Sequence, residues 1–475
     1  MTLGGEAATL VPSARIEAGS LGSPEFRADY SLKYAYLAGA MYKAIASKEM
    51  VVALGRAGLM GYFGAGGLRP ADIEAAIQYI QKELRSGQAY GMNMLCNPER
   101  PEAEERVVDL YLKHGVSRIE AAAYMQMTPS LVRYRLKGVR READGRIHVP
   151  GKVLAKVSRP EVAAAFMQPA PQAILERVVA AGGLTPAEAE LSGRISMADD
   201  ICVEADSGGH SDGGVAYALM PAMLKLRDEM MARYGYAKRI RVGAAGGIGA
   251  PPAAAAAFVL GADFVLTGSI NQCTVEAGTS DDVKDLLAQM NVQDTAYAPA
   301  GDMFELGAKV QVLKRGVFFP ARASKLYELY QRHASLDEIE PGLRRQIQEK
   351  YFGRSFDEVW AETEAYYRQA DPKKLAEIER SPKQRMAAIF KWYFVHTSRL
   401  ALRGVAERRV DYQVHCGPAL GAFNQWVKGT PLESWRNRRV ADIAELIMQG
   451  AAAWLNRRFV EFATPHADRE VGVAR

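Results

Sequence analysis

Between residues 34 and 290, short runs rich in Val, Ile, Leu, Ala and Gly alternate with longer stretches whose apolar side chains recur at three- and four-residue spacing. The short runs suit buried parallel strands and the longer pattern suits amphipathic helices, so the rhythm is β/α. Eight strands are predicted, at 35–41, 59–68, 89–97, 118–125, 153–158, 201–210, 240–249 and 264–269. Helices are predicted between them, as after Pro70, where Ile73, Ile77, Ile80 and Leu84 share one face. Eight β/α repeats over about 250 residues predict a closed (β/α)8 TIM barrel of the α/β class. Polar and glycine residues collect at the C-terminal ends of the runs: Asn93, Glu120, Lys156, the stretch 204–210, the stretch 246–249, Gly268 and Ser269. In a barrel those ends form one face, and that face carries the chemistry.

After Pro320 the pattern changes to long charged helices without strand-like runs. Ser355 with Glu358 and Ser381 with Gln384 have capping-box spacing, and Met386, Ile389, Phe390, Tyr393, Thr397 and Leu400 form a stripe that reads as core. The expected organisation is an N-terminal extension over 1–30, a barrel over 31–320 and an appended C-terminal helical domain over 321–475. The glycine- and aromatic-rich segment 411–426, DYQVHCGPALGAFNQW, lies between helices and reads as an ordered loop or a packing motif without an assigned role.

Composition narrows the class without changing it. Of 475 residues, 48% are hydrophobic and 24% charged, which is ordinary for a globular protein. Sixty basic against 55 acidic side chains leave a net charge of +5, too little over this length to imply a nucleic-acid partner. Cys96, Cys202, Cys273 and Cys416 are far apart, with no CxxC pair, so neither a metal site nor a disulfide framework is expected. The first twenty residues lack a basic start followed by an apolar run, and the most apolar later stretch is broken by Gly261 and Asp263. A cytoplasmic protein without a membrane span is expected. A homo-oligomer is left open.

Three candidate sites follow. The seventh run leads into AAGGIGAPP and an alanine-rich helix, so the backbone N–H groups of Gly246, Gly247 and Ile248 are expected to meet an anion at a helix N-terminus. The eighth ends at Gly268 and Ser269, and loops after the seventh and eighth strands are where barrels commonly bind phosphate. Neither a Rossmann G-x-G-x-x-G nor a Walker GxxxxGK[ST] fits these loops. The sixth run gives EADSGGHSDGG, which permits two readings. In one, His210 exchanges protons over a cofactor, with Gly208 and Gly209 letting a flat ring approach the backbone. In the other, residues 209–213 are a G-x-S-x-G nucleophile elbow with Ser211 as nucleophile and His333, His396 or His415 as partner. Asn93 and Lys156 could hydrogen-bond a flavin, Lys156 stabilising negative charge on the reduced ring; either could equally be a satisfied core residue, and Glu120 could pair with Lys156.

GMNM, IEAAAYM, AKVSRP, EADSGGH, GAAGGIG, GADFVLTGS and the later DYQVHCGPALGAFNQW together resemble the PfaD-type trans-acting enoyl reductases of polyunsaturated-fatty-acid and polyketide synthases. Those enzymes stand with the flavin-dependent nitronate monooxygenases and the FMN-containing enoyl-carrier-protein reductases. The likeness runs over nearly the whole chain. It implies an FMN barrel that passes a hydride from NADPH to an α,β-unsaturated acyl thioester on an acyl carrier protein. It implies further that Gly246, Gly247, Gly268 and Ser269 hold the FMN phosphate, that Ala40, Met41, Asn93 and Lys156 surround the rest of the flavin, and that His210 is the active-site histidine. A nitronate monooxygenase is the alternative with the same motif; a serine hydrolase and a non-catalytic flavin-binding scaffold are more distant ones. A basic patch for the carrier protein is expected at Arg436, Arg438 and Arg439 beside Trp435, with Arg403, Arg408 and Arg409 earlier.

Overall fold

The computed structural model describes residues 15–98 and 100–463. Eight parallel strands close a barrel: β1 (Tyr36–Ala38), β2 (Met60–Phe63), β3 (Gly91–Leu95), β4 (Arg118–Ala122), β5 (Lys152–Val157), β6 (Asp200–Glu204), β7 (Arg241–Ala245) and β8 (Val265–Thr267). Closure is made by β1, which pairs with β2 through Leu37 and Met60 and with β8 through Tyr36 and Val265. Every predicted strand is present, and all but β5, which equals its run in length, are shorter than their apolar runs. The runs continue into loops where left-handed glycines such as Gly246, at φ 86°, end the ladder. In the 201–210 run, β6 stops at Glu204, and Gly209–His210 is a separate short strand of another sheet.

By internal contacts the chain forms two compact units, and their bounds are not those expected from the change of pattern at residue 320. The first holds the described residues of Met1–Val203, Tyr217–Thr267 and Arg439–Arg475; the second is Glu204–Ala216 with Gly268–Arg438. Residues 204–216 and 268–320, expected in the barrel, fall in the second unit, and two further segments join the first. The helix Pro24–Tyr30, capped by Ser23, puts Phe26 and Tyr30 in the barrel core with Leu37, Met60, Leu154 and Phe264, so this part of the expected N-terminal extension belongs to the barrel. The phenyl rings of Phe26 and Phe264 stack with centroids 4.5 Å apart. The last helix, Val440–Ala463, returns to the barrel unit and packs on Pro251–Val259, with Gly450 against the Pro251 ring.

The second unit is built on a three-stranded antiparallel sheet, Thr295–Pro299, Lys309–Leu313 and Gly209–His210 in that order. Its core joins Val310 and Val312 of the sheet to Phe319, Phe352, Phe356, Val359, Phe390 and Tyr393 of the helices. The predicted stripe is buried along one helix, Pro382–Arg403, and the capping box of Ser355 and Glu358 forms in both directions. Among the described residues no helix is long and apolar enough to cross a membrane, and no group of three or more His, Cys, Asp or Glu side chains could hold a metal ion.

Candidate active site

In the barrel unit, three of the expected residues converge on Glu120, which is fully buried in β4. The Ala40 N–H donates to Glu120 Oε2 at 3.0 Å, and Lys156 Nζ on β5 lies 3.8 Å from Oε1. Asn93 on β3 stands opposite Glu120 in the ladder, and its Nδ2 donates to the Glu120 carbonyl at 3.2 Å. Of the two readings of Lys156, the pairing with Glu120 is therefore present. Met41 is fixed differently: its carbonyl lies where a Cβ on Gly64 would stand, 1.7 Å away, so only glycine fits there. The loop beyond Met41 is strained, with Lys43 and Ala44 at φ 51° and 58°, and Ala123 just past β4 is at 63°. Such residues cost of order 1–3 kcal/mol each and tend to cluster at functional sites.

After β7, Gly246 and Gly247 take φ 86° and 72°, and a Cβ on Gly247 would meet nothing within 4 Å. The helix that follows adds no donors to the expected amides of Gly246, Gly247 and Ile248. Pro251 and Pro252 have no N–H, and the amides of Ala253 and Ala254 both bond to the Ala250 carbonyl. An anion here would be met by the amides of the loop itself, which the buried Ile248 anchors.

In the second unit, the turn between Thr295–Pro299 and Lys309–Leu313 brings Asp302 to His210, with Oδ1 3.0 Å from Nε2. Gly301 lets that turn lie against the Phe394 ring. The hydrogen bond to His210 and the nearby imidazoles hold the Asp302 carboxyl below its ordinary value. The loop carrying His210 is tied down by Asp206, which accepts from Ser211 Oγ at 2.7 Å, Tyr297 Oη at 2.7 Å and Gln311 Nε2 at 3.1 Å. Ser211 thus donates to a carboxylate, not to a histidine, and the nucleophile-elbow reading loses its geometry.

Gly208 and Gly209 have an explanation that needs no flat ring. A Cβ on Gly208 would strike Cys416 Cα at 2.6 Å, and one on Gly209, at φ 87°, would stand 3.6 Å from His415 Nδ1. The segment 415–417 packs directly on them, just ahead of the helix Pro418–Trp426, which takes up most of the stretch read as a loop. Gly417 N–H donates to Ser269 Oγ at 2.9 Å, so Gly208 and Ser269 are linked through this segment. A Cβ on Gly268 would meet nothing within 4 Å. Asp302 and Gln311 were missed in the sequence because they lie on a hairpin far along the chain, where no motif marks them, whereas Asp206 and Gln413 stand inside the quoted motifs EADSGGH and DYQVHCGPALGAFNQW and were given no role.

Of the expected basic patch, Arg403, Arg436 and Arg439 are exposed and Arg438 is not. Arg438 is 1% exposed and donates to the carbonyls of Leu432 and Glu433 and to Cys273 Sγ. Arg408 is spent on Asp411 and the Tyr351 carbonyl, and Arg439 belongs to the barrel unit. Arg436 is exposed, pairs with Asp285 at 3.3 Å and covers Trp435.

By fold the class is a closed (β/α)8 barrel with an added helical body. Residues 333–412 match the family described as the inserted helical domain of [acyl-carrier-protein] S-malonyltransferase. The enoyl reductase domain of MlnA, from the macrolactin biosynthesis cluster of Bacillus amyloliquefaciens, is 48% identical and superposes with a TM-score of 0.90 over 94% of this chain and 99% of that one. The chain belongs to the PfaD-type trans-acting enoyl reductase family. The polyketide biosynthesis protein PksE of Bacillus subtilis (strain 168) is 60% identical over 452 residues, 95% of this chain and 58% of that protein. A component of the polyunsaturated fatty acid synthase of Thraustochytrium sp. is 43% identical over 419 residues, 87% of this chain and 28% of that protein. The chain thus spans less than two thirds of these two curated relatives.

Proposed function

We propose that the chain is an FMN-dependent enoyl reductase that saturates α,β-unsaturated acyl thioesters presented by an acyl carrier protein, with NADPH as hydride donor. Family membership supports the reading. The observation that carries it is the His210–Asp302 pair, an imidazole half in solvent whose Nε2 is held 3.0 Å from a carboxylate. Enoyl reduction needs a hydride at the β-carbon and a proton at the α-carbon. FMN, when bound, relays the hydride from NADPH. His210 holds the proton for the α-carbon, and Asp302 orients the ring and stabilises its charged form. In the barrel unit, the amides of Gly246, Gly247 and Ile248 suit the phosphate, because successive left-handed glycines turn their N–H groups into a concavity open beside Gly247. Ala40, Met41, Asn93 and Lys156 border the remainder of the flavin, Lys156 supplying positive charge from a position fixed by Glu120. Gly268 and Ser269 are assigned to the cofactor by the family resemblance alone, and Gly208 and Gly209 support His210. The polyketide and polyunsaturated-fatty-acid synthase names of the relatives suggest the carrier protein as partner.

The test is an absorption spectrum of the purified protein, then anaerobic addition of NADPH, then of a crotonyl-cysteamine thioester. A flavin band bleached by NADPH and restored by the thioester is expected. A colourless protein that does not take up FMN overturns the cofactor assignment. Turnover of a nitroalkane with oxygen, and none of the thioester, makes the protein a nitronate monooxygenase.

A further inference from the structure

The strand Lys309–Leu313 carries two imidazoles on one edge. Val310 faces His210, and Val312 is bridged to His415. The other edge is filled by Thr295–Pro299, with Ala298 opposite Val310 and Ala296 opposite Val312. His210 and His415 therefore stand two positions apart along the same edge, about 7 Å at ~3.4 Å per residue. The His415 ring lies against Gly209, and the backbones of 208–209 and 415–417 touch, since a Cβ on Gly417 would come 2.9 Å from Gly208 N.

Hydrogen bonding decides which nitrogen of His415 bears the proton. Gln413 Oε1 accepts from Ser398 Oγ at 3.1 Å and from Thr397 Oγ1 at 3.3 Å. Its Nε2 is thereby left to donate, and it does so to His415 Nε2 at 2.8 Å. A ring nitrogen that accepts carries no proton, so the neutral ring holds its hydrogen on Nδ1, the atom facing Gly209. Burial first, and then the facing His210, push His415 down to about 4 against the opposing pull of Asp302.

We propose that His415 is a positioning residue for His210: a neutral Nδ1–H imidazole, set by Gln413, that braces the backbone at Gly209 and keeps a second positive charge away from the active-site ring. A cation one strand pair away would disfavour the protonated His210 that the proposed reaction uses, so the inference rests on that reading for its catalytic consequence. Its structural content, the protonation state of one ring, stands apart from it.

The experiment uses the full-length, FMN-loaded protein labelled with 15N-histidine, as wild type, Gln413→Glu and His415→Gln, with signals assigned through His210→Ala and His415→Gln. In the wild type, His415 should keep the signature of a neutral Nδ1–H ring from pH 8 down to pH 5. The isosteric Gln413→Glu replaces the donor by an acceptor. It should move the proton to Nε2, bring His415 into titration above pH 6, and lower the titration midpoint of His210, because the positive end of the new pair is the nearer. With the crotonyl thioester, kcat should fall at least tenfold in Gln413→Glu at little change in KM. His415→Gln, neutral and able to accept from Gln413, should lose less than threefold. An Nε2–H ring in the wild type, ordinary titration near pH 6.5, an unmoved His210 midpoint in Gln413→Glu, or equal losses in both variants would each overturn the proposal. Absence of thioester reduction in the wild type overturns the reading of the enzyme instead, and the resonances still decide the inference.

Discussion

The base of the barrel and the imidazole sheet are both polar clusters, and they are built on opposite plans. At the base, Arg241 clamps Asp200 through Nε and Nη2 at 2.6 and 3.0 Å and reaches Asp29 through Nη1, while Tyr30 Oη donates to Asp200. The guanidinium lies 5.2 Å from the Phe26 ring and 5.5 Å from that of Tyr30. Asp200 and Arg241 are buried, and every charge meets its opposite. In the sheet, the side chains of His210 and Asp302 are 50% and 66% exposed, and a hydrogen bond joins them. A saturated cluster has no donor left for a ligand and can only stabilise. An open one costs little to keep and can act. Removing a residue should therefore cost activity in one cluster and stability in the other.

The largest effect is expected at His210. His210→Ala should lose about 10²–10⁴-fold in thioester reduction, the ordinary worth of general acid–base help, with flavin bleaching by NADPH less affected and Tm unchanged. Unchanged turnover would show that the open cluster does not act. Arg241→Met should do the reverse. Removing one partner of a buried pair costs about 3–5 kcal/mol, because Asp200 is left buried without its cation, while Asp29 keeps Lys238. Urea unfolding should register that loss in protein that still reduces the thioester at low denaturant. A change below about 1 kcal/mol would mean that the base cluster is no more than a tolerated polar core.

The same contrast explains what the sequence made legible. Strand number and closure could be read because each strand announces itself through a local apolar run, and Lys156 and Gly246 stand out because they sit near the ends of such runs, whereas Asn93 is the middle residue of β3. Arg438 was misread because a guanidinium beside other arginines looks solvated, whereas its donors are consumed by two carbonyls and a sulfur that meet only in the fold. Asp302 was invisible for a related reason: it approaches His210 across 92 positions through a hairpin whose alternation gives no hint of chemistry. The strained Lys43 and Ala44 carry no sequence signal at all, because nothing in a Lys-Ala pair favours the left-handed region. The return of Val440–Ala463 to the barrel unit is likewise a tertiary choice, made by contacts such as Gly450 on Pro251, and a shift in pattern at residue 320 could not foretell it.

Acid should separate the two clusters, with the smallest effect of the set. A histidine at about 4 in the folded chain and 6.5 in the unfolded one binds its proton first when unfolded, so the unfolded state gains stability as pH falls from 6.5 towards 4. For His415 the limit is about 3 kcal/mol, reached by pH 4, at 1.36 kcal/mol per tenfold change in proton affinity. His396, lowered by burial and by Arg408 and Arg354, adds to the slope in the same direction. The carboxylates of the base act lower down. Asp29 and Asp199 are held below 3.8 despite burial, by Lys238 and Arg241 for the one and chiefly by Arg135 for the other. Their contribution is complete above that value and is lost only as pH falls through their folded values. Asp200, raised by burial, works the opposite way and recovers stability as it takes up its proton. Urea midpoints measured from pH 7 to pH 3 should therefore fall in the upper window for the wild type and less steeply for His415→Gln, with the two curves running parallel below pH 4. Parallel curves throughout would place the His415 ring in an ordinary solvated state and remove the distinction between the clusters in that window.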